Sequence, residues 1–330
     1  MTPGHEAHQD GYIKWIRSHV GHELIYLVYA TAFVFDEQGH LLVQERYDFD
    51  WLSVPGGALE MDESLRECAV RETYEETGVT CEVERLIGVY SHPQYNLLYP
   101  NGDLVQPWTA AFVCRATNDT IATDGRETLR AAFQPPAAIR HRLPLQYQDM
   151  LHDAQNSESN AAFEAVHYEA ECRPYYPILR ARVGHARVIL PGGTAAIFNN
   201  AGELLAVHDK KRDLWDLPAG LADLGETTTG TVVREVREET GLIVEPVRTL
   251  GIYSAPHLTH SELCNGDQAH WVDLLLECQI IGGNARPDEV EVDGLRYMTI
   301  EALAAQPHIT PIRRQMYDDL RWRELAPFIR

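Results

Sequence analysis

The chain has 330 residues, of which 45% are apolar and 23% charged, and its 49 Asp and Glu outnumber its 28 Lys and Arg to give a formal charge of −21. This is the composition of a folded protein with room for two domains of ordinary size. The acidic balance argues against a nucleic-acid polymer or a membrane as the main partner, and the longest apolar run, residues 24–35, is about half of a membrane span.

The N-terminus and the cysteines do not indicate export. The first residues lack a basic start followed by an apolar stretch, so no secretory signal is expected. The six cysteines contain no CxxC pair and fit reduced, mostly buried thiols better than disulfides or a zinc site. We therefore expect a cytoplasmic protein.

The first half of the chain predicts an α+β fold. In chain order it contains an amphipathic helix (residues 12–19), an apolar strand (24–35), a second strand (41–44) and a Pro-Gly turn (55–57). A helix, an alternating strand (83–90), a loop and a further strand (105–114) follow. A last helix is predicted to begin near Pro144, since proline suits the first helical turn. Helices do not alternate with every strand, which favours mixed sheets over a doubly wound fold.

The second half repeats the first. Gly88 and Tyr90 recur as Gly251 and Tyr253 at an offset of 163 residues, and residues 20–22 (Val-Gly-His) recur at the same offset. A repeat of this length is a duplicated domain rather than a solenoid unit. We predict a first domain over residues 1–153, a linker over 154–172 and a second domain over 173–330, closed by a helix near Pro311.

An acidic segment with one spacing follows the turn in both copies. The first contains Gly57, Glu63, Arg71, Glu72, Glu75, Glu76 and Gly78, and the second contains Gly220, Glu226, Arg234, Glu235, Glu238, Glu239 and Gly241. On a helix, glutamates at i, i+3 and i+4 share one face and repel each other. A hard divalent cation removes this repulsion, because carboxylate oxygens are its preferred ligands. The alternative for either segment alone is a solvated acidic helix.

These residues match the Nudix box, and the chain resembles a tandem Nudix hydrolase. The resemblance covers both halves, although only the two boxes are specific. The pattern departs at Thr73, which stands at an aliphatic position, and at Ala219, which stands where the first copy has Gly56. The resemblance implies two α/β/α sandwich domains with mixed β-sheets, and hydrolysis of a nucleoside diphosphate linked to another group.

The resemblance also implies roles for the box residues. The expected cofactor is Mg²⁺ or Mn²⁺, held in the two copies by Glu72, Glu75, Glu76, Glu235, Glu238 and Glu239. Glu63 and Glu226 are further or outer-sphere ligands, and Gly56 and Ala219 offer backbone carbonyls. Arg71 and Arg234 lie beside the glutamates and can orient a carboxylate by a two-pronged bond.

A catalytic base outside the box is expected on a later loop or strand. Glu127 and Glu291 occupy equivalent positions, each six residues before an aromatic residue. Glu289 competes with Glu291, but its first-copy counterpart is Gly125. The alternative is an exposed loop acid beside a core aromatic.

Signals for the substrate are thinner. Pro93 and Pro256 each lie fourteen residues beyond their box, near the position of a marker in Nudix enzymes that act on ADP-ribose; the alternative is a turn proline. Tyr95 resembles a marker of dinucleoside polyphosphate hydrolases but does not recur in the second copy. Arg46 and Arg212 are candidate phosphate-binding cations. Tyr95 and its aromatic neighbours (Tyr99, Trp108 and Trp271) can stack on a base or belong to the core.

The sequence thus predicts a metal-dependent pyrophosphohydrolase for small nucleotides, with ADP-ribose-like sugars favoured. Alternatives are hydrolysis of nucleoside triphosphates, including oxidised ones, and a non-catalytic nucleotide sensor. Because single Nudix domains commonly dimerise, the two copies are expected to pack as an intramolecular pseudo-dimer.

Overall fold

A computed structural model describes residues 11–47, 51–123, 125, 127–156 and 160–330. The helices of the first half are α1 (Tyr12–Val20), α2 (Leu65–Thr77), α3 (Pro136–Ile139) and α4 (Leu145–Asn156). Its strands are β1 (Ile25–Phe35), β2 (Leu41–Arg46), β3 (Leu52–Ser53), β4 (Gly56–Ala58), β5 (Cys81–Tyr90), β6 (Leu97–Leu98), β7 (Leu104–Ala116), β8 (Thr128–Gln134) and β9 (Ala162–Phe163).

The second half follows the same order. Its helices are α5 (Tyr175–Val183), α6 (Thr228–Thr240), α7 (Pro256–Thr259), α8 (Ile300–Ala304) and α9 (Pro311–Leu320). Its strands are β10 (Tyr168–Arg173), β11 (Val188–Ile197), β12 (Leu204–Asp209), β13 (Leu214–Asp216), β14 (Ala219–Leu221), β15 (Leu224–Glu226), β16 (Leu242–Tyr253), β17 (His260–Glu262), β18 (Gln268–Gly283), β19 (Val292–Met298) and β20 (Phe328–Ile329).

Both halves contain a mixed sheet. In the first, the strand order is β3-β2-β1-β7-β5-β9, with β1 parallel to β7 and β5 antiparallel to it. In the second, the order β14-β11-β18-β16-β20 repeats the centre of this sheet, and β13-β12-β19 forms a separate three-stranded sheet. The predicted α+β fold with mixed sheets and two similar halves is confirmed.

The acidic helices begin and end where the sequence provides caps. Ser64 and Glu67 form a capping box at the start of α2, and Gly78 ends this helix in the left-handed conformation with φ 73°. In the second copy Thr227 caps α6, and Gly241 ends it with φ 68°. Both helices therefore present their glutamates in a fixed register beside the turn of β4 or β14.

The predicted linker contains ordered backbone. Helix α4 extends to Asn156, β9 pairs in parallel with β5, and β10 pairs antiparallel with β15 of the second half. The connecting segment thus adds a strand to each half. The exact domain boundaries remain a prediction.

One hydrophobic cluster continues through both halves. The ring of Tyr26 packs edge-on against the ring of Tyr175 with centroids 5.3 Å apart, and both side chains are buried. The Tyr26 hydroxyl donates to the carbonyl of Asp223 at 2.8 Å, and the Tyr12 hydroxyl accepts from the amide of Ile189 at 3.1 Å. Burial of these tyrosines satisfies their polar ends across the contact.

Each copy also caps the acidic helix of the other. The hydroxyl of Ser91 accepts from the amide of Thr228, the first residue of α6, at 2.8 Å. The hydroxyl of Ser254 accepts from the amide of Leu65, the first residue of α2, at 3.0 Å. A helix N-terminus leaves its first amides without intrahelical partners, so these bonds couple the packing of the copies to the placement of both acidic helices.

A buried histidine at this contact links stability to pH. His270 is fully buried beside His260 and Arg187, and its Nε2 bonds the carbonyl of Ser254 at 2.6 Å. Burial lowers the pKa of His270 from 6.5 to about 4. Below pH 6.5 the histidine is protonated in the unfolded chain, whereas in the folded chain it stays neutral down to about pH 4. The free energy of unfolding therefore falls as the pH is lowered from 6.5 to about 4.

We expect His270→Gln to reduce this acid sensitivity, because glutamine stands at the equivalent position, Gln106, and does not titrate. At about 1.4 kcal/mol per pKa unit, the histidine costs roughly 2 kcal/mol between pH 7 and pH 5. Urea unfolding at both pH values measures it. If the variant loses as much stability on acidification as the parent chain, His270 is not the acid-sensitive group.

Two global features bear on the setting of the protein. Within the described residues, no helix has both the length and the apolar character needed to cross a membrane. All six cysteines fall in this part of the chain and are free thiols, four of them buried.

Candidate active site

The glutamates of the first acidic helix surround one arginine. Arg71 makes a two-pronged bond to Glu63, with Nε–Oε2 and Nη2–Oε1 distances of 2.9 and 2.6 Å. Its Nη1 contacts Oε1 of Glu72 at 2.6 Å and Oε2 of Glu75 at 3.0 Å. The guanidinium thus offsets the repulsion within the cluster and fixes the directions of three carboxylates.

Glu76 lies apart from this arginine and is held differently. Its carboxylate accepts from the amide of Gly56 at 2.9 Å and from Nη1 of Arg46 at 2.7 Å. Only 5% of the residue is exposed, and burial raises the pKa of Glu76 from 4.5 to about 7. A buried carboxylate beside the helix turn is a group whose charge a bound cation would stabilise.

The glycine turn of each copy lies close to one glutamate of the acidic helix, Glu72 in the first copy and Glu235 in the second. A Cβ atom added at Gly57 would lie 2.2 Å from the carboxylate carbon of Glu72, and one added at Gly220 would lie 2.0 Å from that of Glu235. A side chain at either position would therefore displace the carboxylate of Glu72 or Glu235 from its present place. This fit brings the backbone of the turn next to the carboxylates.

A cavity of about 700 Å³ opens beside these groups in the first copy. Its volume lies in the range of small-molecule binding sites. Acidic and glycine residues form one part of its wall and aromatic residues another: Glu72, Glu76, Gly56, Gly57, Trp51, Tyr29, Tyr95, Tyr99 and Tyr147. The hydroxyls of Tyr29 and Tyr99 are 3.1 Å apart. The cavity thus joins an anionic end to an aromatic chamber.

The second copy repeats the arginine-centred cluster. Arg234 bonds both carboxylate oxygens of Glu226, at 2.8 and 3.0 Å, and contacts Glu235 at 2.7 Å and Glu238 at 3.1 Å. Glu226 is fully buried, and burial raises the pKa of Glu235 to about 7. The carboxylate geometry of the two boxes is therefore nearly the same.

The last box glutamate has different surroundings in the second copy. Glu239 accepts from the amide of Ala219 at 3.3 Å, which is the counterpart of the Gly56 bond. Burial raises the pKa of Glu239 well above its usual value, and nearby carboxylates raise it further. The position equivalent to Arg46 is Asp209, so the arginine contact of the first copy is not repeated.

Arg212 bonds two aspartates at the edge of the second cavity, and its substrate-binding role remains a prediction. Its Nε bonds Asp209 at 2.6 Å and its Nη1 bonds Asp216 at 3.0 Å. The cavity beside it, about 150 Å³, is lined by charged residues that include Arg212, Glu239, Glu291 and Arg313. In the first copy Arg46 likewise bonds Glu76, although its side chain still reaches the large cavity.

The predicted bases lie at the rims of the two cavities. Glu127 lines the first cavity, and its Oε2 is 3.9 Å from Nη2 of Arg46. Glu291 lines the second, with Oε1 3.9 Å from Nζ of Lys211. Both side chains are more than 60% exposed. Each can move toward a bound ligand, and their catalytic role remains a prediction.

The aromatic candidates separate into core and cavity. Trp108 is fully buried in the core, whereas Tyr99 lines the cavity. Tyr95 reaches the cavity while its hydroxyl donates to Asp149 at 2.8 Å. The sequence alone did not indicate Tyr29, Tyr147, Asp216 or Arg313 as site residues. Tyr29 lies inside β1 and Asp216 ends β13, whereas Tyr147 and Arg313 lie in the first turns of α4 and α9, and none of the four belongs to a motif.

The donor set fits a hard divalent cation. Carboxylates lie beside the backbone of each turn, and burial raises the pKa of Glu72 and Glu76 in the first copy and of Glu235 and Glu239 in the second, so a bound cation would favour their charged forms. As placed in the described part of the chain, no three His, Cys, Asp or Glu side chains enclose a single point where an ion would sit. Glu63, Glu72 and Glu75 instead contact Arg71, so the ligand assignments remain a prediction.

Comparison with known proteins identifies the family. The family model of the NUDIX domain matches residues 26–154 and 190–320, which together make up most of the chain. The chain therefore belongs to the Nudix hydrolase family and carries two Nudix domains in tandem. Proteins of this family generally use divalent metal ions.

Relatives with several activities are similar to parts of the chain. A putative 8-oxo-dGTP diphosphatase of Bacillus subtilis (strain 168) is 30% identical over 130 residues, which are 39% of this chain and 78% of that protein. A putative ADP-ribose pyrophosphatase, YjhB, of the same organism is 28% identical over 88 residues, 27% of this chain and 40% of its own. The structure of an ADP-ribose pyrophosphatase from Streptococcus suis 89-1591 aligns with a TM-score of 0.33 at 22% identity, covering 42% of this chain and 97% of that one.

Proposed function

We propose that this chain is a Mg²⁺- or Mn²⁺-dependent pyrophosphohydrolase that acts on nucleoside diphosphates linked to a second group, with ADP-ribose-like sugars favoured. The observation that carries the proposal is the first cavity, which connects buried carboxylates to an aromatic chamber of suitable size for a nucleoside. A nucleotide whose pyrophosphate binds at the acidic end would place its base against Tyr29 and Tyr99. The rings of these tyrosines can stack on the base.

The metal would be held by Glu72, Glu75 and Glu76, with the Gly56 carbonyl as a further ligand. Glu63 would be an outer-sphere ligand. When bound, it neutralises phosphate charge and makes a bound water more acidic. Arg71 contacts both Glu72 and Glu75 and thereby holds these two carboxylates next to each other. Glu235, Glu238, Glu239 and Arg234, with Glu226 and Ala219, would serve in the same way in the second copy.

Glu127 is proposed to accept the proton of the attacking water in the first copy, and Glu291 in the second. Water adds to one phosphorus atom, the bond from that phosphorus to the bridging oxygen breaks, and this oxygen leaves with the other phosphate. The products are a nucleoside monophosphate and the phosphorylated second group. A carboxylate at the cavity rim can transfer the proton onward to solvent because it is exposed.

The setting is proposed to be cytoplasmic, with the two domains packed as an intramolecular pseudo-dimer. Free cysteines support the first point. The reciprocal caps by Ser91 and Ser254 support the second, since a two-fold interface makes each contact twice. Small-angle scattering that showed two well-separated lobes would contradict the pseudo-dimer.

A second candidate is hydrolysis of nucleoside triphosphates, including oxidised ones; the likeness to a putative 8-oxo-dGTP diphosphatase favours it. Both substrates place a phosphoric anhydride at the carboxylates and a base in the chamber. A nucleotide sensor is a third, weaker candidate, because both boxes retain their acidic residues.

A metal-dependent screen tests these candidates. ADP-ribose, UDP-glucose, dATP and 8-oxo-dGTP are incubated with the full chain and Mg²⁺ or Mn²⁺, and products are identified by chromatography. We expect fastest release of AMP and ribose 5-phosphate from ADP-ribose. Faster release of pyrophosphate from a triphosphate would favour the second candidate. Tight binding without product would favour a sensor.

A further inference from the structure

The two copies differ most where a nucleoside would lie, and the strand register identifies the equivalent positions. Tyr29 of β1 pairs with Thr109, whereas its counterpart Gly192 of β11 pairs with Asp273. Ser53 pairs with Gln44 on β2, and Asp216 pairs with the counterpart of Gln44 on β12. The second copy therefore replaces two small hydroxyl residues by carboxylates.

The last long helix of each copy, α4 in the first and α9 in the second, also differs at the cleft. Asp153 of α4 accepts from the hydroxyl of Tyr90, and Asp319 of α9 accepts from that of Tyr253. Six residues before these aspartates lie Tyr147 in the first copy and Arg313 in the second. Tyr147 lines the large cavity, and Arg313 occupies the corresponding place.

Arg313 organises a buried ionic network. Its Nε is 3.0 Å from Oδ1 of Asp216, and its Nη1 donates to the hydroxyl of Thr194 at 2.7 Å. That hydroxyl lies 2.9 Å from the carboxylate of Asp273, and Arg212 bonds the other oxygen of Asp216 at 3.0 Å. Two arginines thus balance the buried Asp216 and the partly buried Asp273 across the space that is open in the first copy.

Two tyrosines that line the first cavity are not repeated in the second copy. Gly192 stands in place of Tyr29. Leu263 stands in place of Tyr99: the amide of each donates to the carbonyl of an aspartate four residues later in the same loop. The residue facing Leu190 on β18 is Trp271, where the first copy has Pro107 facing Leu27. A bulky side chain thus replaces a compact one at this position.

We propose that the first copy alone binds the nucleoside, and that Arg313 with Asp216 and Asp273 excludes it from the second copy. The cavity volumes agree: about 700 Å³ beside Glu76 and about 150 Å³ beside Glu239, below the 300 Å³ or so at which small-molecule pockets begin. This inference rests on the proposed function and narrows it: hydrolysis of nucleotides is assigned to the first copy, and the roles proposed for Glu291 and the second box then apply only to a phosphoric anhydride without a nucleoside in that cleft.

Binding stoichiometry tests the proposal. Isothermal titration of the full chain with α,β-methylene-ADP-ribose, a non-hydrolysable analogue, in the presence of Mg²⁺ is expected to give one site per chain. Leu97→Trp fills the first cavity and is expected to weaken binding at least tenfold. Leu98→Trp is the matched control, because Leu98 is 68% exposed and adjacent residues of a strand point to opposite faces.

A second pair of variants distinguishes a filled cavity from a misfolded chain. Tyr147→Arg places in the first copy the side chain that fills the second, and is also expected to weaken binding at least tenfold. His152→Arg adds the same charge on the exposed side of α4 and is expected to bind normally.

Two sites of similar affinity per wild-type chain would overturn the inference and leave the proposed function standing. If both Leu97→Trp and Tyr147→Arg bind the analogue as tightly as the wild-type chain, the inference is also overturned. The analogue would then bind outside the first cavity. No binding to the wild-type chain would overturn the proposed preference for ADP-ribose-like ligands and the inference together.

Discussion

Replacing Glu72 with glutamine is expected to lower kcat for nucleotide hydrolysis by at least about 100-fold. Even residues that only support a metal ligand cost 10- to 100-fold when mutated. Glutamine keeps the size of the side chain and an oxygen that can accept from Arg71 at the present 2.6 Å distance. The variant therefore removes a charge with little change in packing. Its loss of kcat would measure how much the Glu72 charge contributes to binding the cation beside the phosphates.

The metal response distinguishes a ligand from a structural group. If Glu72 holds the cation, the apparent affinity of the variant for Mg²⁺ falls, and part of the lost rate returns at high Mg²⁺. Glu82→Gln is the control, because Glu82 is an exposed residue paired with Arg115 on the outer face of the sheet. A Glu72→Gln variant with the turnover and metal response of the parent chain would refute the ligand assignment.

Replacing Arg313 with alanine is expected to lower the free energy of unfolding by about 3–5 kcal/mol. Removing one partner of a buried ion pair leaves an uncompensated charge, and such losses are of this size. Asp216 is 1% exposed, and burial already raises the pKa of Asp273 to about 6. Without Arg313, Asp273 loses its nearest cation, and Asp216 keeps only Arg212.

A double variant separates charge from packing. Asp216→Asn combined with Arg313→Met removes the central pair while filling similar volume, and buried pairs replaced in this way often cost little. We expect it to recover part of the stability lost by Arg313→Ala in urea unfolding at pH 7, because Asp273 still lacks its cation. A loss below 1 kcal/mol for Arg313→Ala would show that the network does not hold the second cleft together.

The sequence was sufficient for the box helices and for the duplicated fold. Fixed spacing of Glu72, Glu75 and Glu76, together with Gly78, predicts both the shared helix face and the helix end, because these depend on local geometry. The mixed sheet followed from the order of strands and helices. The match of the NUDIX family model to both halves confirms the family that the boxes indicated.

The difference between the two clefts could not be predicted, because it depends on residues far apart in the chain. Asp216 and Arg313 are 97 positions apart, and neither carries a motif. Arg46 and Arg212 look alike as cations near a box, yet one bonds Glu76 while the other bonds two aspartates. Cavity volume depends on how all these side chains pack, which local spacing does not encode.

The most direct test of the central claim is the dependence of turnover on a divalent metal. The full chain is dialysed against EDTA, and hydrolysis of ADP-ribose is followed before and after Mg²⁺ is restored. We expect no detectable AMP from the metal-free chain and full recovery on addition of Mg²⁺, with Glu72→Gln remaining at least about 100-fold slower. Undiminished release of AMP by the metal-free chain would contradict a metal-dependent pyrophosphohydrolase.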